Sequence, residues 1–367
     1  MEADFLSGIP VAVDPGKIER ELSRLWKAEG NERSASFSRI CLSNLIVYLP
    51  DGAARDWGGT ILPEIGRRFP SRLIVLIPQS AASGPLSASL MARCHVPAPG
   101  HPPVCCEEIL LRSSGGRTED FPWAVLSLLV PDLPALLLLP GMEGGHLIGP
   151  LGRALDRVIF DTRPWRLRDL EGFGRLFDLH PTLGIDDLGW RETVGWRRIL
   201  GDLFDDPGIR PHFLRMDRIE ISHDAAAACS AALLGGWLTA RLGWGGTRGG
   251  EPGLLRRGGE TLRFVLRGTA DESAAAGASP RAVASGSIRG LRLSQVGPGK
   301  ETAYLQLSHD APQSAIRIDH HAEDSCVIPR RIPFPRPSEA ELVGSILERP
   351  TRRDIFEEAV RVACRLA

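Results

Sequence analysis

Short runs of consecutive apolar residues, each closed by proline, aspartate or glycine, alternate along the first half of the chain with stretches of helical periodicity. Ile18, Leu22 and Leu25 recur at the spacing of one helix face and predict an amphipathic helix over residues 17–28. A polar stretch, 29–38, separates it from the apolar run 44–49, which the turn residues Pro50, Asp51 and Gly52 stop. A helix-like segment then leads to a second strand at 72–77. Strand, helix, strand at this spacing is a βαβ unit and favours a parallel sheet. Glycine and proline dominate 78–103, so that segment reads as loop-rich. Further strands are predicted at 104–112, 135–139 and 157–161, with a helix over 121–130 whose Pro122 is tolerated in the first turn. The N-terminal half is therefore expected to be an α/β domain, a doubly wound, mostly parallel sheet.

From Gly184 the pattern changes. Trp196, Ile199, Leu200, Leu203 and Phe204 predict a helix over 191–204, and 225–242 reads as a long helix rich in small residues. Between and after them come predicted strands at 218–222, 261–267, 288–294, 302–308 and 315–319, mostly with no room for helices between them. Hairpins and antiparallel pairing follow. Helix closes the chain over 338–366, with a break at Arg349-Pro350, while 243–259 and 270–287 read as loops. The expected division is an α/β domain over 1–183 and a C-terminal α+β domain with antiparallel strands over 184–367.

Composition narrows the function classes. The 367 residues are 43% hydrophobic and 24% charged, ordinary globular values for a chain of two domains. A net charge of -1 supplies no field to attract nucleic acid or an anionic membrane, and no nucleic-acid or membrane partner is expected. The longest apolar stretch, 124–140, is interrupted by Pro131, Asp132 and Pro134, which suits a buried helix and strand better than a membrane span. Residues 1–14 lack a basic segment followed by an apolar one, so a cytoplasmic location is expected, with most of the seven cysteines reduced.

The chemistry-bearing side chains concentrate between Cys94 and Arg112. Cys94, His95, His101, Cys105 and Cys106 are all potential zinc ligands, but no C-x-x-C occurs. Adjacent strand residues such as Cys105 and Cys106 point to opposite faces. No metal or other cofactor is expected. A redox pair of Cys94 with either Cys105 or Cys106 stands beside the plainer reading of a buried, inert cysteine. Glu107 and Glu108 likewise face apart and cannot form a carboxylate dyad. One is expected to bond to a neighbouring loop and the other to be solvated. Asp319, His320 and His321, near Glu323 and Asp324, read as a polar strand end with a metal site as the alternative. The loop 141–149 (GMEGGHLIG) follows a strand and precedes a helix, where an anion could bind, but it lacks the G-x-G-x-x-G and G-K-[ST] spacings. No nucleophile elbow or H-E-x-x-H is present, and no catalytic residue is assigned.

Several stretches in order resemble the OpcA family of glucose-6-phosphate dehydrogenase assembly proteins. They are SNLIVYLPD (43–51), FPSRLIVLIP (69–78), ARCH (92–95), VCCEEILLR (104–112), LLVPDLPALLLLPG (128–141), LDRVIFDT (155–162), the DLGW…WRRILGDLFD stretch (187–205) and GGWLTARLGW (235–244). His95, Glu107, Glu108, Asp132 and Pro134 fall within these signatures. The resemblance implies a non-catalytic partner that binds glucose-6-phosphate dehydrogenase and supports its active oligomer in the oxidative pentose phosphate pathway and hence NADPH supply. Redox sensitivity in such proteins suits the thiols without locating them. An interface of this kind needs aromatic anchors, for which Trp190 and Trp244 are candidates. The competing reading is a nucleotide- or sugar-phosphate-binding α/β enzyme using the 141–149 loop.

Overall fold

The computed structural model describes residues 10–32, 37–50, 57–79, 84–115, 117–141, 143–246, 253–257, 260–268, 287–297, 300–322, 325–326 and 329–366. β1 (Val11–Val13), α1 (Ile18–Glu32), β2 (Ser38–Arg39) and β3 (Asn44–Tyr48) come first. α2 (Leu62–Arg68), β4 (Arg72–Gln79), β5 (Ser87–His95) and β6 (Val104–Ser114) follow. Next are α3 (Phe121–Leu128), β7 (Ala135–Leu139), α4 (Ile148–Leu151), β8 (Arg157–Phe160), α5 (Leu170–Leu179) and β9 (Gly184–Asp187). Three helices, α6 (Leu188–Glu192), α7 (Val194–Asp205) and α8 (Arg210–Phe213), lead to β10 (Arg218–His223) and α9 (Ala228–Arg241). Strands β11 (Gly245–Gly246), β12 (Leu254–Arg257), β13 (Glu260–Gly268), β14 (Ile288–Gly297) and β15 (Lys300–Asp310) come after them. The chain ends with β16 (Ala315–Ala322), β17 (Ser325–Cys326), β18 (Arg330–Pro333), α10 (Glu339–Glu348) and α11 (Arg353–Leu366).

Two compact units result. The first gathers Met1–Phe160, Thr182–Asp186 and Ser338–Pro350, and the second Asp161–Pro181, Asp187–Pro337 and Thr351–Ala367. In the first, the strand order is β1-β5-β6-β4-β3-β7-β8-β9, with β2 on β6. β6, β4, β3, β7 and β8 pair in parallel. Numbering only the crossover strands β3, β4, β6, β7, β8 and β9, the order reads 3-2-1-4-5-6, that of a doubly wound dinucleotide-binding sheet. Leu45, Ile46, Val47, Ile74, Leu137 and Leu138 are all essentially inaccessible, which is why these strands read as unbroken apolar runs rather than alternating ones. The loop expected over 78–103 is corrected in part. Residues 87–95 form β5, antiparallel to β6, and the prolines that obscured it lie outside the strand. α1 buries Ile18, Leu22 and Leu25 as its periodicity predicts.

The second unit holds the sheet β11-β12-β13-β10-β14-β15-β16-β17, with β18 on β16. β14, β15 and β16 pair antiparallel as expected, whereas β13 lies parallel to β10, Ile219 beside Phe264. Leu291, Leu293, Leu305, Leu307 and Ile316 share a core with Leu200 of α7 and Leu234 and Leu238 of α9. α9 carries glycine for a reason: a Cβ on Gly236 would stand 2.2 Å from the Ala359 carbonyl of α11, so the two helices approach backbone to backbone. The predicted helix over 191–204 is split into α6 and α7 at Thr193, whose hydroxyl donates to the Trp190 carbonyl at 2.8 Å. Among the described residues no helix is long and apolar enough to cross a membrane.

Candidate functional site

β5 and β6 place Cys94 directly opposite Cys105, and the two are joined in a disulfide with Cα atoms 4.1 Å apart. This selects between the two pairings left open by the sequence. Cys105 is buried, whereas Cys94 is exposed near the end of β5, so the bond has one accessible end. Cys106 points to the other face, its Sγ 3.6 Å from the Arg93 carbonyl, and burial pushes its thiol up to about 11. It is protonated at neutral pH and a weak nucleophile. His95 ends β5 opposite Val104, half-buried, with its imidazole pKa lowered first by burial and then by Arg67. His101 is exposed in the connection. Among the described residues no group of three or more His, Cys, Asp or Glu is arranged to hold a metal ion.

Glu107 and Glu108 do face apart, but neither is solvated. They are 4% and 2% exposed, each in its own ion pair. Glu108 takes the Arg93 guanidinium, which also donates to the Gly58 carbonyl at 3.1 Å. Glu107 accepts from Trp26 Nε1 at 2.7 Å and Arg72 Nε at 2.8 Å, and pairs with Arg39 from β2. A buried carboxylate is tolerable only with its lone pairs filled in this way. Arg72 is itself 4% exposed. Its Nη1 donates to the Leu128 carbonyl at 2.7 Å, the last residue of α3, and pairs with Glu19. The signature carboxylate thus holds a guanidinium that caps a helix.

The segment after α3 is pinned from the neighbouring strand. Asn44, fully buried at the start of β3, donates to the Val130 and Leu133 carbonyls at 3.1 and 3.2 Å and accepts from Val130 N at 2.8 Å. Its own N–H donates to the Pro134 carbonyl at 2.8 Å. Between these anchors Asp132 is exposed at φ 65°, a left-handed conformation that a non-glycine side chain adopts at a cost. Asp132 and Pro134 therefore belong to one rigid surface turn.

In sheets of this order ligands bind where the chain reverses direction of travel, beyond the carboxyl ends of the first and fourth crossover strands. Here those are β3 and β7. Tyr48, the last residue of β3, is 4% exposed there, its ring edge-on to Phe121 and His146. Gly144, at φ 91°, packs so closely that a Cβ would lie 2.8 Å from the Tyr48 ring and 2.7 Å from Leu139. Gly144 is thus packed directly against an aromatic side chain at this end of the sheet.

The remaining sequence candidates lie in the second unit. Trp190 and Trp244 are 2% and 5% exposed, so the expectation that they anchor a partner does not fit their burial. Trp190 is sandwiched between Phe356, stacked at 5.2 Å, and the Arg197 guanidinium, 3.5 Å from its ring centroid. Asp187 caps α6, accepting from Trp190 N at 2.6 Å and from Thr162 N and Oγ1 at 2.8 and 2.9 Å. Burial, then the Asp161 charge, raises its carboxyl to about 7 despite those bonds. His320 is buried with neither ring nitrogen hydrogen-bonded, 5.2 Å from the His212 ring; burial and neighbouring histidines lower its pKa. It is a neutral core imidazole rather than a ligand, and Glu323 and Asp324 lie outside the described residues.

Comparison with known proteins agrees with the signatures. Residues 63–172 match the family model described as the glucose-6-phosphate dehydrogenase subunit N-terminal domain, and 183–360 match the corresponding C-terminal domain. The chain is 25% identical over 347 residues to the OpcA protein of Synechococcus elongatus, covering 91% of this chain and 76% of that one. It is 23% identical over 320 residues to OpcA of Nostoc punctiforme, covering 83% and 67%. A 3-ketoreductase of Actinomadura kijaniata superposes with a TM-score of 0.44 at 12% identity, covering 88% and 95%. A scyllo-inositol dehydrogenase of Lactobacillus casei gives 0.40 at 11%, covering 89% and 96%. Likenesses this loose carry no argument about chemistry.

Proposed function

The chain belongs to the OpcA family, and from that premise we propose that it is a non-catalytic subunit of glucose-6-phosphate dehydrogenase that biases the enzyme toward its active state. The observation that carries this reading is the match of both halves, in order, to the two domain models of a glucose-6-phosphate dehydrogenase subunit. The packing at the reversal point of the sheet supports the non-catalytic part. Gly144 packs against the buried Tyr48 ring at the carboxyl ends of β3 and β7, which counts against a nucleotide- or sugar-phosphate-binding enzyme that uses this loop. An activating subunit works by binding the active state more tightly, and a coupling of about 1–3 kcal/mol changes the equilibrium roughly five- to 150-fold.

The Cys94–Cys105 bond supports a redox-responsive form of the same reading. An external dithiol would reduce it by two electrons, taking the disulfide itself and leaving two thiols on β5 and β6. Glu107 stands two residues along β6 from Cys105, and Arg39, which pairs with Glu107, is registered beside Cys105. Loss of the bond would loosen the strand that carries the buried ion pair. Size-exclusion chromatography with light scattering tests the association. Co-elution with the dehydrogenase of the same organism is expected, and separate elution at micromolar concentration of both proteins counts against it.

A further inference from the structure

α3 has two apolar faces and uses only one in the core. Phe121, Val125 and Leu128 are buried at helical spacing, while Trp123 is 77% and Leu126 38% exposed three residues apart on the other side. A helix that is apolar all round is normally buried all round. An exposed tryptophan beside an exposed leucine is the composition of a binding anchor rather than of a solvated face.

The structure around this face is unusually well held. Arg72 caps the Leu128 carbonyl from inside the unit, and Asn44 fixes the following turn by three side-chain hydrogen bonds. The indole is therefore presented on a preorganised segment, which lowers the ordering cost of association. Charge surrounds it unevenly. Glu119 and Asp120 precede the helix, Asp132 follows it, and Glu19 sits by its last turn through Arg72. Against these four exposed or half-exposed carboxylates stands the exposed guanidinium of Arg117, already paired with Glu119 and Asp120.

We propose that the Trp123–Leu126 face of α3 is the docking surface for the dehydrogenase, received by an apolar pocket with a rim of lysine or arginine side chains. This rests on the reading that the dehydrogenase is the partner. The acidic rim argues against a second copy of the chain, since a two-fold contact would set these carboxylates against themselves. The matched N-terminal subunit domain, residues 63–172, contains the whole of α3 and the turn after it.

The test measures binding of the full chain to purified glucose-6-phosphate dehydrogenase by biolayer interferometry, for the natural sequence, Trp123→Ala, Asp132→Lys and, as a control in the second unit, Leu214→Ala. The exposed positions make folding of the variants readily checked by circular dichroism. The proposal predicts a loss of at least about tenfold in affinity for Trp123→Ala. It further predicts slower association for Asp132→Lys, a slope with salt for the natural chain, and no change for the control. Unchanged binding of Trp123→Ala overturns the docking surface while leaving the partner intact. Absence of binding by the natural chain overturns both. Self-association in the ultracentrifuge that Trp123→Ala abolishes assigns the face to a second copy and overturns the proposal.

Discussion

The Arg72 guanidinium meets the Leu128 carbonyl at 2.7 Å while Glu107 holds its other edge. A buried carboxylate on β6 is thereby connected to the end of a helix whose far side is exposed. The two glutamates of the CCEE signature consequently have different duties, since Glu108 pairs with Arg93 on the opposite face of the strand.

Glu107→Gln is expected to cost about 3–5 kcal/mol, because it removes the buried carboxylate from Arg72 and leaves that guanidinium only the half-exposed Glu19. Chemical denaturation measures the loss. Hydrogen exchange separates the two glutamates: amides of 121–134 should exchange faster in Glu107→Gln and remain protected in Glu108→Gln. Equal loosening in both variants contradicts the brace.

Asp187 makes stability depend on pH. Its folded carboxyl is raised from the ordinary 3.8 to about 7 by burial and by Asp161. Between these values the folded state keeps a proton that the unfolded chain has released, so this contribution is complete below pH about 4 and is lost as pH rises through 7. The melting temperature should fall between pH 5 and pH 8, and Asp187→Asn should flatten that part of the profile. An unchanged slope in the variant would mean that another group titrates.

The cysteines should differ sharply in reactivity. After reduction, Cys94 is expected to be alkylated first, because it is exposed, and Cys106 and Cys229 last, because burial pushes their thiols up to about 11 and about 12. Mass spectrometry of timed iodoacetamide reactions resolves the order. Rapid labelling of Cys106 in the folded protein would contradict its placement.

Gly236→Leu should destabilise the second unit by several kcal/mol. Its side chain would be forced into the Ala359 carbonyl, and backbone gives way less readily than a flexible side chain. Calorimetry checks this. A variant with the natural melting temperature would show that α9 and α11 are not so closely packed.

Much of the fold was legible because doubly buried strands declare themselves. The runs at 44–49, 72–77, 135–139 and 157–161 are apolar on both faces, and all form parallel strands. β5 is masked in the sequence by the prolines that crowd its flanks, although Ala88, Leu90 and Ala92 alternate within it with Ser87, Ser89, Met91 and Arg93. The Cys94–Cys105 pairing was open in the sequence because it depends on register, and register was set by that unrecognised strand. Contacts such as Arg72 with Glu107, or Asn44 with the turn at 130–133, span tens of residues and leave no local pattern. Trp190 and Trp244 show the limit of composition, since a core indole and an interface indole look alike in sequence. Trp123 had a readable signal: its helix is apolar at 121, 125 and 128 and again at 123 and 126, one face more than a core requires.

The most direct measurement is an initial-rate titration of glucose-6-phosphate dehydrogenase with this chain, oxidised and reduced. A saturable change of roughly five- to 150-fold in the enzyme's activity is expected, with a midpoint that shifts between the two redox forms. Rates identical with and without a molar excess of the folded chain, in both forms, would contradict the account.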